Sequence, residues 1–455
     1  MNNLEVNLES GRIRGFVQGG VRKFWGIPYC LPPIGQRRFQ PADPTVQWDG
    51  VLDATKHYAI APQGTSDLDG PMGPTLGNQN EDCLVINVTA PLNGERLPVA
   101  VWFHGGANCY GGGDLDWYDP ESLVRKGKIV VVNVNYRLGA LGYLYHPNIN
   151  ESNLAIGDML TALKWVQRNI AMFGGDASNV TVFGQSAGAN AIIHMLSIPE
   201  TESLFSAAIL ESPSIGRGNH TVADAKRIAE CLCSHLDITT ENPVQMKEGL
   251  LAASTSDILK AMDETMVDIG KEYGLMLFRP VKNEWHTPKE TIEAALHEAE
   301  RRSLPIMIGT TRDELHAFAL ERDPASLQSI KKIQSQRFDG PALEFAYRLS
   351  DAGCPVWKYR FDWQAPNSVY DSCHCLELPF VFGALDAWKD APMLKGMSYL
   401  EGEKLKDTLQ ANWIQFIKHH SFCEDQWPKL TKETSFHKIF NNLDNPIQSI
   451  YPSKE

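Results

Sequence analysis

Gly184-Gln185-Ser186-Ala187-Gly188 sets a hydroxyl between two glycines, with the strand-like run Val180-Thr181-Val182-Phe183 before it and a helix-like run from Ala187 after it. A strand that turns this sharply into a helix strains its middle residue and exposes that residue's Oγ. It also leaves no room for side chains two positions to either side. The helix start behind Ser186 favours negative charge. The chemistry open to such a serine is attack on an acyl carbon. A base must then take its proton, and backbone N–H groups must receive the charge that develops on the carbonyl oxygen.

A loop of the right kind precedes it. Pro98 to Phe103 reads as a strand running into His104-Gly105-Gly106-Ala107-Asn108. Glycines let the backbone approach a ligand closely, and this loop comes before the serine in the order such a fold requires. We assign the oxyanion donors to the N–H groups of Gly106, Ala107 and Ala187. The further run Gly111-Gly112-Gly113 reads as a flexible loop rather than a phosphate cradle, because no Lys-Ser/Thr follows.

The acid and then the base must follow Ser186 along the chain. Leu304 to Ile308 reads as a strand that ends in Gly309-Thr310-Thr311-Arg312-Asp313-Glu314, which offers Asp313 and Glu314 as the acid; the pattern alone does not separate them. His374, in the loop Asp371-Ser372-Cys373-His374-Cys375 after the strand Val356 to Phe361, stands in the base's place. His316 is too close to the acid, His419 and His420 end a helix, and His437 lies in the tail. Such a triad needs no metal and no organic cofactor. The nine cysteines form no CxxC pair, and the one-residue spacing of Cys231/Cys233 and Cys373/Cys375 is poor for a tetrahedral metal site.

The elements that must hold these residues are written as alternating strand and helix patterns. Leu4 to Leu8 and Gly11 to Val17 alternate; Cys83 to Val88, Ile129 to Val134 and Ala207 to Leu210 are apolar runs. Asp158 to Phe173 repeats its apolar positions with a 3.6-residue period; Ala187 to Leu196 and Glu403 to His419 are further helices. Alternating strands and helices predict an α/β fold with a mainly parallel sheet. Residues 216–300 break the rhythm with amphipathic helices and no strands, which predicts one domain carrying a helical cap insertion there.

The formal charge, 42 basic against 55 acidic residues for a net −13, argues against nucleic-acid partners and against docking on anionic lipid. No apolar run is long enough to cross a bilayer, and Met1-Asn2-Asn3-Leu4-Glu5 begins no secretory signal. We therefore expect a cytoplasmic protein with reduced thiols. The sequons at Asn87, Asn150, Asn179 and Asn219 read as chance.

Longer motifs carry a resemblance. Phe24-Trp25-Gly26-Ile27-Pro28-Tyr29, Glu81-Asp82-Cys83-Leu84-Val85-Ile86-Asn87-Val88, Asn135-Tyr136-Arg137-Leu138-Gly139 and the stretch from Leu163-Lys164-Trp165 through Phe173-Gly174-Gly175-Asp176 to Gly188 resemble the type-B carboxylesterase family. That group of α/β-hydrolases holds carboxylesterases, cholinesterases and bacterial p-nitrobenzyl-type esterases. The likeness runs almost unbroken over residues 10–215, then thins to islands at Thr311-Arg312-Asp313-Glu314, at His374 with Glu377 to Gly383, and at Trp427-Pro428. It implies an α/β-hydrolase fold and carboxylic ester hydrolysis on Ser186. It implies that Glu314, rather than Asp313, is the acid, and that Arg38 with Glu81 and Arg137 with Asp158 form structural ion pairs. The expected partner is a small neutral ester, and the expected assembly a monomer or small homo-oligomer. Amide, carbamate or lactone hydrolysis by the same triad is the alternative, and a non-catalytic binding role a remote one.

Four departures from that pattern stand out. Gln185 replaces the Glu usual before the nucleophile, which removes a buried charge near His374. Ala61 replaces the cysteine that would pair with Cys83. Asn108 replaces an aromatic beside the oxyanion loop. Glu314 and His374 are only 60 positions apart, so part of the cap or pocket wall looks deleted.

Overall fold

The computed structural model describes residues 4–150, 153–274, 276–283, 290–319, 324–431 and 437–441. Among them twelve strands form one sheet: β1 (Leu4–Leu8), β2 (Gly11–Gln18), β3 (Val21–Pro28), β4 (Val51–Asp53), β5 (Val85–Pro91), β6 (Leu97–Phe103), β7 (Val130–Val134), β8 (Gly175–Gln185), β9 (Ala207–Glu211), β10 (Ile306–Thr311), β11 (Val356–Phe361) and β12 (His437–Phe440). The spatial order is β1-β2-β3-β5-β7-β6-β8-β9-β10-β11-β12, with β4 beside β2. From β7 through β12 every pairing is parallel, whereas β1, β2, β3 and β5 join antiparallel.

Burial explains why the central strands read as unbroken apolar runs. Every residue of β7, β9 and β10 is buried, as a parallel strand covered on both faces must be. Alternate residues of β6 feed opposite layers. Val99, Val101 and Phe103 pack into one core with the helices Leu154–Asn169, Ala187–Leu196 and Thr291–Arg302. Ala100 and Trp102 pack into the other with the helix Tyr399–His419. Burying an aromatic side chain as Trp102 is buried contributes about 2–3 kcal/mol.

The helices lie where the 3.6-residue period put them, with small shifts at their ends. The predicted helix over 158–173 starts earlier, at Leu154, and closes with a 3-10 turn over Ile170–Phe173. Its Asp158 takes a bidentate pair from Arg137 (Nε–Oδ2 2.8 Å, Nη2–Oδ1 2.6 Å), both buried. Arg38 makes the same fork on Glu81 (2.7 and 2.5 Å).

The stretch 216–300 divides in two. Val222–His235, Pro243–Ala252 and Thr255–Tyr273 are helices, the first and third packed together and bridged by Arg227–Glu272 at 3.0 Å and His235–Asp268 at 2.9 Å. Thr221 caps the first by accepting from Asp224 N–H, and Ser254 caps the third by accepting from Asp257 N–H. The last helix, Thr291–Arg302, lies instead on Ala187–Leu196 within the sheet-covering layer. Residues 284–289, inside that stretch, lie outside the described residues. Cys231 sits not with Cys233 but with His235 and Asp268, donor atoms within 4.8 Å of one another; the ion pair across the two helices accounts for that grouping. All nine cysteines are free thiols, Cys83 among them. Among the described residues no helix is long and apolar enough to cross a membrane.

Candidate active site

Ser186 sits between β8 and the helix Ala187–Leu196 with φ 55° and ψ −118°, a conformation that costs a non-glycine residue about 1–3 kcal/mol. Its N–H donates to Glu211 O at 2.8 Å, which ties the turn to the end of β9. The flanking glycines are sterically required. A Cβ on Gly188 would come within 2.0 Å of Phe103 O and 2.6 Å of His104 O, and one on Gly184 within 2.8 Å of Gly188 C.

The loop after β6 lies against this turn. A Cβ on Gly105 would meet Gln185 Oε1 at 2.5 Å and Ser186 Cβ at 3.2 Å. Gly106, Ala107 and Asn108 follow with φ of 111°, 55° and 63°. This left-handed run turns backbone N–H groups away from ordinary pairing. Among the described residues nothing accepts from the N–H of Gly106, Ala107 or Ala187. The loop's base is held by Tyr136, whose hydroxyl donates to His104 O at 2.6 Å and whose ring stacks on His104 at 4.3 Å. Burial pushes the His104 imidazole down to about 4, so it is neutral near pH 7.

Gly111-Gly112-Gly113 is not the flexible loop the sequence suggested. Gln63 brackets Gly111 (N–H to Oε1 2.6 Å, Nε2–H to O 2.8 Å), and Gly113 N–H donates to Asn135 Oδ1 at 2.6 Å. A Cβ on Gly112 would meet Ile60 at 2.3 Å and one on Gly113 would meet Val134 O at 2.5 Å. These glycines permit close packing rather than motion.

Glu314 and His374 meet, both buried. The His374 Nδ1 is hydrogen-bonded to Glu314 Oε2, and Thr311 N–H donates to Glu314 Oε1 at 2.8 Å. Asp313 faces elsewhere: its carboxylate accepts from Arg312 Nε at 2.8 Å and from Ser372 N–H at 3.3 Å. His316 is held by Asp371 at 2.8 Å, and His420 by Thr181 at 3.1 Å. The edge of His374 is packed by Phe338, ring centroids 5.3 Å apart.

Three features here escape the motif reading. Gln185 Nε2 lies 3.1 Å from His374 Nε2, so with Nδ1–H given to Glu314 the amide donates to the second ring nitrogen. Among the described residues no hydrogen bond joins Ser186 Oγ to His374. Behind them lie two buried carboxyls; burial pushes Glu211 up to about 8 against the lowering effect of its Trp413 hydrogen bond, and burial, then the charges of Glu211 and Glu314, holds Glu377 well above the usual carboxylate range. Trp413 Nε1 donates to Glu211 Oε1 at 2.6 Å. The available signal was a Glu ending the apolar strand Ala207–Glu211 and another entering the apolar run Leu378–Phe382.

The profile of the carboxylesterase family matches residues 2–339. The chain belongs to the carboxylesterase family. Its fold is the α/β-hydrolase fold, and it is a carboxylic ester hydrolase. A para-nitrobenzyl esterase of Bacillus subtilis is 36% identical over 498 positions, which cover 100% of both chains. That alignment is longer than the 455 residues here, so this carboxylesterase carries deletions relative to it. A Rhodococcus erythropolis protein named "Probable N-octanoylanthranilate hydrolase AqdA2" is 37% identical over 93% of this chain and 94% of its own. A solved thermophilic PNB esterase superposes with a TM-score of 0.87 at 34% identity, covering 97% of this chain and 96% of the other. The family profile ends before His374, whereas the Bacillus match includes it.

Proposed function

We propose that Ser186, His374 and Glu314 act as nucleophile, base and orienting acid in a two-step acyl transfer from carboxylic esters. The observation that carries this reading is the buried hydrogen bond between His374 Nδ1 and Glu314, beside a serine held at φ 55°. Glu314 fixes the tautomer that leaves Nε2 free of its proton. For Ser186 to lose its proton to Nε2, the Gln185 amide must give way to Ser186 Oγ; catalytic hydrogen bonds often form only once substrate is bound. Ser186 Oγ then attacks the ester carbonyl, the N–H groups of Gly106, Ala107 and Ala187 receive the oxyanion, and His374 protonates the departing alcohol. Water, activated by His374, releases the acid. No metal or cofactor takes part.

The helical stretch within 216–300 acts as a cap in this reading, since the segment after its third helix, Met276 to Lys282, borders a cavity that reaches Ala187. We further place the protein in the cytoplasm, a reading supported by its nine free thiols, and as a monomer or small homo-oligomer. Organophosphate labelling with peptide mapping, beside a panel of p-nitrophenyl esters and matched anilides, tests the assignment. Label on Ser186, ester turnover faster than anilide turnover, and a loss of about 10³-fold or more in Ser186→Ala are expected. Label elsewhere, or full activity in that variant, overturns it.

A further inference from the structure

Past the nucleophile, the first turns of the helix Ala187–Leu196 form one wall of a cavity of about 150 Å³. Its far wall carries three cations, Arg217, Arg279 and Lys282. Among the described residues none of the three has a carboxylate within ion-pairing distance. The Nε of Arg217 and the Nε of Arg279 are buried and lack a hydrogen-bond partner. A third arginine, Arg337, stands behind them. The turn that bears Arg217 packs on the Arg337 turn so closely that a Cβ on Gly216 would fall 2.9 Å from Arg337 Cα. Burial, then the charges of Arg337 and Arg279, push the Arg217 guanidinium down to about 10; burial lowers Arg279 as well, with Asp224 pulling the other way and Arg337 adding to the fall.

A folded chain does not gather arginines that repel one another without compensation. Two carboxylates also line the cavity, but Glu293 is engaged by Arg348, which leaves Glu290 in the lining and, outside it, Asp224 acting on Arg279. On the helix wall Asn190 Oδ1 and His194 Nδ1 are buried without partners, and Asn190 Nδ2 is held by Ser214 Oγ at 2.8 Å. The cavity therefore joins a largely apolar lining, Ile156, Ile193 and Met276 among it, to a basic wall with unsatisfied polar atoms, and it begins at the residue whose N–H is a proposed oxyanion donor. A cavity of this size takes a group about as large as a benzene ring.

We infer that this cavity receives a carboxylate carried by the ester substrate, gripped by Arg217 and Arg279. The inference rests on the Ser186 esterase reading and sharpens its substrate class: an anionic ester, not the neutral one the sequence suggested. Guanidinium forks match a carboxylate in geometry as well as charge. The cavity's volume holds a short chain or one ring ending in that group while the ester carbonyl sits at Ser186.

The test compares matched pairs. Mono-p-nitrophenyl adipate against p-nitrophenyl hexanoate places the carboxylate on the acyl side; the butyryl ester of 4-hydroxybenzoate against that of 4-hydroxybenzamide places it on the leaving side. In one of the two placements, wild type should favour the charged ester in kcat/KM by about tenfold or more. The doubly substituted Arg217→Gln/Arg279→Gln protein should lower that charged-to-neutral ratio at least about tenfold, through KM, while Arg217→Lys alone keeps most of it. Should the double variant fail to fold, Arg217→Gln alone serves, with Arg217→Lys as its control. Equal or better turnover of the neutral ester in both placements, or a ratio that survives both losses, overturns the inference and leaves the esterase reading intact. Failure of wild type to turn over any of the four esters overturns both.

Discussion

The side-chain amide of Gln185 lies 3.1 Å from Nε2 of His374, on the lone pair that would take the Ser186 proton in the proposed mechanism. A neutral donor thus occupies the place where a carboxylate would hold the ring as a cation. Gln185→Glu keeps the shape and supplies that charge. An opposite charge this close favours imidazolium, so the acid limb of kcat/KM should move to higher pH by about one unit or more. A pH–rate profile of the two proteins checks this, and coincident limbs would mean that position 185 does not face the base.

The neighbouring acids Asp313 and Glu314 separate cleanly by substitution. Glu314→Gln retains an oxygen but not the charge behind His374, and kcat should fall by about 10³- to 10⁴-fold. Asp313→Asn alters only the contacts to Arg312 and Ser372 and should leave kcat within about threefold. Steady-state kinetics on one ester decide the matter; the reverse order of effects would return the acid's role to Asp313.

Gly188 is a packing requirement. Its missing Cβ would sit 2.0 Å from Phe103 O, so Gly188→Ala must push the helix off β6 and should cost about 3 kcal/mol. Gly64→Ala, where a Cβ meets nothing within 4 Å, should change stability by less than about 0.5 kcal/mol. Urea denaturation of both variants measures the contrast.

The buried carboxyls give stability a slope against pH. Glu211 is held protonated in the folded chain well above the usual carboxylate range, and it releases that proton on unfolding. Stability from this group is therefore full below the ordinary carboxylate pKa and is lost as pH climbs toward the raised one. Glu211→Gln keeps an acceptor for Trp413 Nε1 and removes the ionisation. Its midpoint temperature should exceed wild type by on the order of 2 °C at pH 8.5, with the gap closing toward pH 5. Scanning calorimetry at both pH values reads it, and a gap independent of pH would show that Glu211 does not titrate in this window.

Most of the sheet was legible because its strands are covered on both faces and so are written as unbroken Val, Ile and Leu. The serine turn and its loop were legible for a different reason: Gly184, Gly188 and Gly105 sit where no other residue fits. The choice of Glu314 over Asp313 needed the family resemblance, since two adjacent acids look alike until the strand β10 is placed and one of them points inward. The tightness of Gly111-Gly112-Gly113 was hidden because its partners, Gln63, Ile60 and Asn135, come from distant segments. The basic cavity was hidden in the same way, its cations arriving from positions 217, 279 and 282, each unremarkable alone.

The left-handed φ of Ser186 has a consequence for laboratory evolution. Glycine alone adopts that backbone without cost, so Ser186→Gly should gain conformational ease at the moment it loses the proposed nucleophile. A library screened only for survival of heating will drift toward such inert, sturdier clones. Selection on this protein must read turnover and heat resistance from the same colony.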